Sequence, residues 1–153
     1  MNRIKTVTVA LLSLIALAAC DRMKIGYLQT ENAVYEPDSV NAYRELDPGD
    51  THLTENAPWT SNSIQGVAGT APVNYEIYDV TASNGGDAEA FKQIIRSGDA
   101  RIQGSMLQLF QNGVKQIPNG TYTISLRVYN EDHSAILTNI FRFIVADKEE
   151  FYE

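Results

Sequence analysis

The chain is poor in the residues that build disulfide scaffolds and most catalytic sites. Its 153 residues include one cysteine, Cys20, and two histidines, His52 and His133. A single cysteine excludes any disulfide within one chain, so the core must come from burial alone, which a domain of this size can supply. The Gly-x-Ser-x-Gly elbow of serine hydrolases is also missing. We therefore predict that the chain is not an enzyme.

Metal-binding chemistry is equally sparse. Asp50 and His52 stand close enough in the sequence to share a metal ion, but no further histidine or cysteine completes a site. Residues 130–133, Asn-Glu-Asp-His, concentrate oxygen atoms in a predicted turn. With so few ligands, a solvated turn is the more typical interpretation. We expect no metal and no cofactor.

Basic residues are outnumbered by acidic ones. The chain has 12 Lys and Arg residues against 19 Asp and Glu residues, which gives a formal net charge of −7. Acidic chains are repelled by nucleic-acid phosphates and by anionic lipid head groups. The composition argues against a nucleic-acid partner and against adsorption to a membrane through a basic patch.

The N-terminus, in contrast, carries a defined pattern. Arg3 and Lys5 precede an apolar stretch, residues 7–18, that is too short to span a bilayer stably. This is the layout of a secretory signal. The stretch ends in Leu17-Ala18-Ala19-Cys20, which resembles the lipobox of bacterial lipoproteins.

The lipobox resemblance implies that residues 1–19 are a signal peptide, removed by cleavage before Cys20. The Cys20 thiol would take a diacylglycerol, and the new N-terminus would also be acylated. Each buried methylene contributes about 0.8 kcal/mol, so two or more acyl chains hold a protein almost permanently at a bilayer. An ordinary secretory cleavage after Ala18 is the alternative, and it would leave Cys20 as an exposed thiol.

Lipid attachment would place the rest of the chain close to the membrane. Residues 20–24 would form the anchor and a short tether, because Ile25 begins a stretch typical of a strand. Five extended residues reach at most about 17 Å. We expect one domain, residues 25–147, to lie against the membrane, followed by an acidic tail, residues 148–153.

Apolar and polar residues alternate in several stretches, as half-buried strands require. Residues 73–80 form one such stretch. Residues 121–128 and 136–145 form two more, separated by a turn, and predict an antiparallel hairpin. Its core-facing residues should be Tyr122, Ile124, Leu126, Val128, Phe141, Phe143 and Val145.

Three other segments are less regular. Residues 33–44 contain Pro37, which favours an edge strand or a bend. We expect residues 101–110 to form one strand and residues 47–58 to form a surface loop.

One segment has the period of a helix. Asp87 can cap it, Phe91, Ile94 and Ile95 fall on one helical face, and Gly98 can end it. About seven strands separated by turns, with at most one short helix, predict an all-β fold, an antiparallel β-sandwich.

Two stretches resemble a known family. Residues 69–77 look like an early strand, and residues 118–126 like the penultimate strand, of cadherin-like and Ig-like domains in bacterial surface proteins. The resemblance implies an Ig-like (cadherin-like) sandwich. It also places Tyr122 at a tyrosine corner, where a hydroxyl bonds back to the preceding loop, although Tyr122 could equally be the first core residue of its strand. The calcium-binding Asp and Asn motifs of cadherins are missing, so no calcium is implied.

The whole chain also resembles small surface lipoproteins of Bacteroidetes-type bacteria, which often accompany the outer-membrane machinery of glycan uptake. That resemblance implies localisation at the outer membrane, with the acyl chains of Cys20 inserted in the lipid bilayer. It further implies a non-catalytic accessory or interaction domain that binds a membrane-protein partner in a larger assembly. Surface and periplasmic exposure both stay open. The inner membrane is the alternative localisation, because Asp21, directly after Cys20, favours retention there under the enterobacterial sorting rule.

A direct carbohydrate-binding module is the alternative function, with a polysaccharide as partner. Sugar sites pair exposed aromatic rings with amide and carboxylate groups, because pyranose faces are apolar and their rims are polar. Trp59 is the candidate platform, with Asn62 and Gln65 shortly after it. The lone tryptophan of a sandwich is more typically packed between the sheets, so both interpretations stay open.

One further motif concerns modification. Asp38-Ser39-Val40 resembles the short O-glycosylation pattern of Bacteroidetes-type proteins, in which Asp precedes Ser or Thr and an aliphatic residue. The resemblance implies a glycan on Ser39. Patterns of three residues are frequent by chance, so Ser39 is a candidate only.

Overall fold

The computed structural model describes residues 24–148, which contain nine strands and three helices. The predicted signal peptide (residues 1–19), Cys20 and residues 149–153 of the predicted acidic tail lie outside the described residues. The helices are α1 (Thr51–Thr54), α2 (Ala88–Ser97) and α3 (Gln111–Gln116). The strands are β1 (Leu28–Gln29), β2 (Ser39–Tyr43), β3 (Trp59–Thr60), β4 (Ala68–Gly69), β5 (Asn74–Ser83), β6 (Ala100–Gln103), β7 (Met106–Leu109), β8 (Gly120–Tyr129) and β9 (Ser134–Ala146).

The strands form three sheets. The largest has the order β2-β9-β8-β5, a second has the order β3-β7-β6, and β1 pairs with β4. The predicted hairpin is confirmed, because β8 and β9 pair antiparallel. β2, which follows Pro37, is an edge strand as predicted, but it runs parallel to β9. The expectation of a wholly antiparallel sheet is therefore wrong, since most of the chain lies between β2 and β9 and serves as a long crossover.

The core lies between the four-stranded sheet and the elements that cover it. Every residue predicted to face inward from the hairpin is buried. Helix α2 adds Phe91 and Ile94 to the same cluster, and β7 adds Leu107 and Leu109. The molecule is thus mostly β, with its sheets packed together around one apolar core.

Helix α2 confirms the predicted helical segment. The Asp87 carboxylate accepts hydrogen bonds from the backbone N–H groups of Glu89 and Ala90, which satisfies donors that a helix start leaves unpaired. Gly98 ends the helix with a φ of 87°, a conformation that costs glycine little.

The limit of one short helix is wrong, because α1 and α3 are also present. Helix α1 lies inside the predicted loop 47–58, where Asp50 caps it by accepting from the His52 N–H. Helices of four and six residues are too short to give a readable period.

Residues 101–110 form a hairpin and not the predicted single strand. Gln103 pairs with Met106, which leaves Gly104 and Ser105 as a two-residue turn between β6 and β7. Gly104 has a φ of 61°, as tight hairpin turns require. The sequence signal for this turn was one glycine inside an otherwise strand-like run.

Candidate functional site

Trp59 is half-buried in an aromatic cluster on β3. The imidazole of His52 stacks on its indole ring with centroids 3.7 Å apart, and the ring of Tyr43 meets it edge-on at 5.7 Å. The indole N–H donates to the side-chain oxygen of Gln111 at 3.0 Å. Helix α1 thus covers one face of the ring that a sugar platform would present.

Asn62 and Gln65, the other two predicted sugar-binding residues, make separate contacts. The Asn62 amide donates to the carbonyl oxygen of Glu36 at 2.8 Å. Gln65 is exposed, and its backbone pairs with the backbone of Val34. Neither side chain bonds to Trp59 among the contacts of residues 24–148.

Tyr122 makes the bond that defines a tyrosine corner. Its hydroxyl donates to the carbonyl oxygen of Pro118, four residues upstream, at 2.6 Å and accepts from the Asp87 N–H at 3.4 Å. Its ring packs against Phe91 with centroids 4.9 Å apart. Burial raises the pKa of Tyr122. Tyr122 therefore joins the start of α2 to the start of β8.

Ser39, the candidate glycosylation residue, is half-buried at the start of the edge strand β2. The preceding Asp38 forms an ion pair with Arg142 at 2.8 Å. The Asp38 carboxylate of the three-residue motif is thus already paired with a side chain of strand β9.

Both histidines bind backbone carbonyl oxygens. A ring nitrogen of His52 lies 2.7 Å from the carbonyl oxygen of Ala57, and one of His133 lies 3.1 Å from that of Gly26. Over residues 24–148, no group of three His, Cys, Asp or Glu side chains is placed to hold a metal ion.

The first described residues are tied to the turn between β8 and β9. The Ile25 N–H donates to the Asp132 carboxylate at 2.8 Å, and the Asn130 amide donates to the Tyr27 carbonyl oxygen at 2.9 Å. Together with His133 on Gly26, these contacts hold residues 25–27 at one end of the long sheet. Ile25 and Tyr27 are 72% and 52% exposed at that end.

A shallow pocket of about 190 Å³ lies between strand β5 and helix α2. Its lining includes a β-bulge, where Ile77 pairs with Leu126 and Asp79 pairs with Ser125, so that Tyr78 is the extra residue. Bulges redirect side chains, and the Tyr78 side chain is 60% exposed. The pocket is lined by Ile77, Tyr78, Asp79, Val80, Lys92, Ile95 and Arg96.

Of the two basic side chains that line this pocket, Lys92 is paired with carboxylates and Arg96 is not. The Lys92 ammonium lies 3.1 Å from the Asp79 carboxylate and 3.4 Å from the Glu89 carboxylate. The hydrogen bond with Lys92, followed by one from the Val80 N–H, holds the pKa of Asp79 below its ordinary value. The bonds to Asp79 and Glu89 raise the pKa of Lys92. The Arg96 side chain, one turn further along α2, makes no hydrogen bond or ion pair within the described range.

Sequence reasoning missed this pocket, although residues 73–80 contain a signal for it. Apolar side chains alternate at Val73, Tyr75 and Ile77, and the alternation then restarts at Tyr78. Two consecutive apolar residues in an alternating strand indicate a shift of phase, and a one-residue bulge produces such a shift.

Comparison of the chain with protein-family models, with curated proteins and with solved structures finds no match. Within residues 24–148, no helix is both long and apolar enough to cross a membrane.

Proposed function

We propose that this chain is a membrane-anchored, non-catalytic lipoprotein that serves as an accessory domain of a bacterial outer-membrane assembly linked to glycan uptake. Acylated Cys20 would be its anchor, and a larger membrane protein would be its partner. The observation that carries the proposal is the attachment of Ile25 and Tyr27 to the β8–β9 turn. These contacts begin at Ile25, which is separated from Cys20 by four residues, 21–24.

A tether of this length keeps the domain at the membrane. Residues 20–24 span at most about 17 Å when extended, so the β8–β9 end cannot leave the head-group region by more than that distance. Confinement raises the effective concentration of the domain for partners in the same bilayer, whereas ligands far from the membrane gain nothing. A compact mostly-β domain with one fixed end is suited to docking beside a membrane protein.

The lipid anchor is tested by labelling cells with a clickable palmitate analogue. We expect label on the wild-type chain and none on Cys20→Ala, while Trp59→Phe serves as a variant with the lipobox intact. Incorporation of label into Cys20→Ala would refute anchoring through this residue.

The partner is tested by affinity purification from detergent-solubilised membranes. We expect a stoichiometric membrane protein with the wild type. A version with ten Gly/Ser residues inserted after Lys24 should capture less, because a longer tether lowers the effective concentration. Recovery of the chain by itself under mild detergent conditions would count decisively against an accessory role.

Direct carbohydrate binding is the second candidate, and the exposed ring of Tyr78 is the observation that favours it. Tyr78 is exposed and lines a pocket together with charged side chains, whereas Trp59 has one ring face against His52. A glycan array probed with wild type and Tyr78→Ala tests this function. Failure of the wild type to bind any polysaccharide would eliminate it.

A further inference from the structure

We propose that the pocket between β5 and α2 binds a pyranose that carries a carboxylate, such as a uronic acid residue in a polysaccharide. This inference rests on the second proposed function, direct carbohydrate binding. It assigns one role to each of four side chains, which are Tyr78, Asp79, Lys92 and Arg96.

The size of the pocket suits a single six-membered ring. Its volume is about 190 Å³. A cavity of about 150 Å³ accepts one benzene molecule, and drug-sized ligands use pockets of about 300–1,000 Å³. One sugar ring with its substituents therefore fits, and the rest of a polysaccharide would continue into solvent from the open side.

Tyr78 provides the surface against which the ring stacks. It is 60% exposed, and its position in the bulge removes it from the regular alternation of β5. The C–H groups on one face of a pyranose are apolar and pack well on an aromatic ring. Ile77 and Ile95 line the same pocket and extend this apolar surface.

Asp79 and Lys92 provide a matched acceptor and donor for hydroxyl groups. Their charged atoms lie 3.1 Å apart, and the Glu89 carboxylate is a second partner of Lys92 at 3.4 Å. An ionised carboxylate accepts several hydrogen bonds and an ammonium donates three, so both retain capacity for neighbouring sugar hydroxyls. Asp79, Lys92 and Glu89 together carry a net charge of −1, so this group does not by itself attract an anion.

Arg96 provides the selection for a carboxylate. The other four arginines of residues 24–148 each have a partner: Arg44 pairs with Asp147, Arg101 with Gln108, Arg127 with Glu76, and Arg142 with Asp38. Arg96 has none, and it lines the pocket. A guanidinium binds a carboxylate through two parallel hydrogen bonds, and here no protein carboxylate competes for it.

The acidic character of the chain does not prevent this binding. At physiological ionic strength, charges further apart than about 8 Å are largely screened from each other. The carboxylate of a bound sugar would thus experience mainly Arg96 and the Asp79–Lys92–Glu89 group, whose charges together with that of Arg96 sum to zero. We expect binding to weaken as salt is raised.

The test uses the full chain in detergent micelles and two probes that differ only in the carboxylate, methyl β-D-glucuronopyranoside and methyl β-D-glucopyranoside. Binding is followed by NMR chemical-shift titration. We expect the glucuronide to bind more tightly than the glucoside. Arg96→Gln should weaken glucuronide binding by about tenfold, as expected for the loss of a charge-assisted bidentate contact, and should leave glucoside binding unchanged.

Two further variants separate the stacking role from a general effect on the fold. Tyr78→Ala should weaken both probes by about fivefold, as loss of an aromatic contact predicts. Tyr27→Ala, at the end of the sheet near the β8–β9 turn, is the matched control and should bind both probes as the wild type does. Circular dichroism of all three variants checks that they remain folded.

Equal binding of the two probes, or full binding by Tyr78→Ala, would overturn the inference. If Tyr78→Ala still binds polysaccharides on the array, the sugar site lies elsewhere on the molecule. Direct carbohydrate binding would then remain as a function, without the pocket proposed here. Absence of any saccharide binding would remove both. The anchored accessory function is judged separately by palmitate labelling.

Discussion

The side-chain amide of Asn130 donates to the carbonyl oxygen of Tyr27 at 2.9 Å, across 103 residues of sequence. The same amide donates to the carbonyl oxygen of Thr70 at 3.2 Å, and the Asn130 side-chain oxygen accepts from the His133 N–H at 3.0 Å. One asparagine thus joins the start of the domain, the loop before β5 and the turn between β8 and β9.

Replacing Asn130 should loosen this end of the molecule. Asn130 is 9% exposed and Asn130→Ala removes three side-chain hydrogen bonds at once, so we expect a loss of about 1–3 kcal/mol in the free energy of unfolding. Urea denaturation measures the change. Asn74→Ala is the control, because Asn74 is exposed and makes one long bond to Pro72 at 3.5 Å. Equal stability of the two variants would contradict a structural role for Asn130.

Anchoring through Cys20 predicts which end of the sheet faces the bilayer. Ser134 lies next to the β8–β9 turn, whereas Ser83 pairs with Thr121 at the opposite end of β8. The two ends are about 26 Å apart, since a strand rises about 3.3 Å per residue. A fluorophore on Ser134→Cys should therefore transfer energy to acceptor-labelled lipid head groups more efficiently than one on Ser83→Cys.

In acylated protein this measurement is selective, because a lipidated Cys20 thiol does not react with a maleimide. Mass spectrometry first establishes whether the chain is acylated. Stronger transfer from Ser83→Cys in acylated protein would reverse the predicted orientation.

Asp99 should contribute stability that depends on pH. Partial burial raises its pKa, but hydrogen bonds from Asn112, Ser97 and Gln116 outweigh burial and hold the pKa below the ordinary value. A carboxyl with a depressed pKa stabilises the fold above its unfolded pKa of about 3.9, and this stability is lost as pH falls through the folded pKa. Asp99→Asn should thus be clearly less stable than wild type at pH 7, with a difference that shrinks below about pH 4.

Denaturation series from pH 7 to pH 2.5 would follow that difference. Asp47→Asn is a suitable control, because Asp47 is exposed and its side chain has no partner in residues 24–148. If the difference in free energy of unfolding between wild type and Asp99→Asn does not change with pH, the charge of Asp99 is not the source of that difference.

Gly120 should tolerate no side chain. A Cβ at this position would overlap the backbone of Gly86, which approaches closely just before α2. We expect Gly120→Ala to lose about 1–3 kcal/mol of stability through this clash. A Cβ on Gly49 meets nothing within 4 Å, so Gly49→Ala should change stability by less than about 0.5 kcal/mol. Thermal unfolding of the two alanine variants makes the comparison, and similar midpoints would disprove the clash.

Helix ends and the inward faces of strands could be predicted because they depend on residues close together in the sequence. Asp87 and Gly98 bound a helix through contacts within a few residues, so their roles follow from the sequence of α2 alone. The alternation of residues 121–128 and 136–145 likewise identified the inward faces of β8 and β9. Helix α1 escaped prediction because its four residues provide no full period.

The surroundings of the candidate site residues, in contrast, could not be predicted from the residues next to them in the sequence. Trp59 was a reasonable platform from its neighbours in the sequence, but His52 and Gln111, which cover and bond it, come from two separate helices. Tyr78 and Arg96 are 18 positions apart and share a pocket only because α2 packs beside the bulge of β5. A side chain's exposure depends on which distant elements cover it, and alternation along one strand contains no information about them.

The sequence by itself determined the absence of any internal disulfide, the acidic charge, the core-facing residues of the β8–β9 hairpin and both ends of α2. Each of these depends on composition or on contacts between near neighbours. Only the tertiary structure decided that β2 runs parallel to β9, that Asn130 holds Tyr27, and that Tyr78 and Arg96 line one pocket. These contacts join residues from 18 to more than 100 positions apart. They form because burying the whole apolar core at once offsets the entropy of bringing distant segments together.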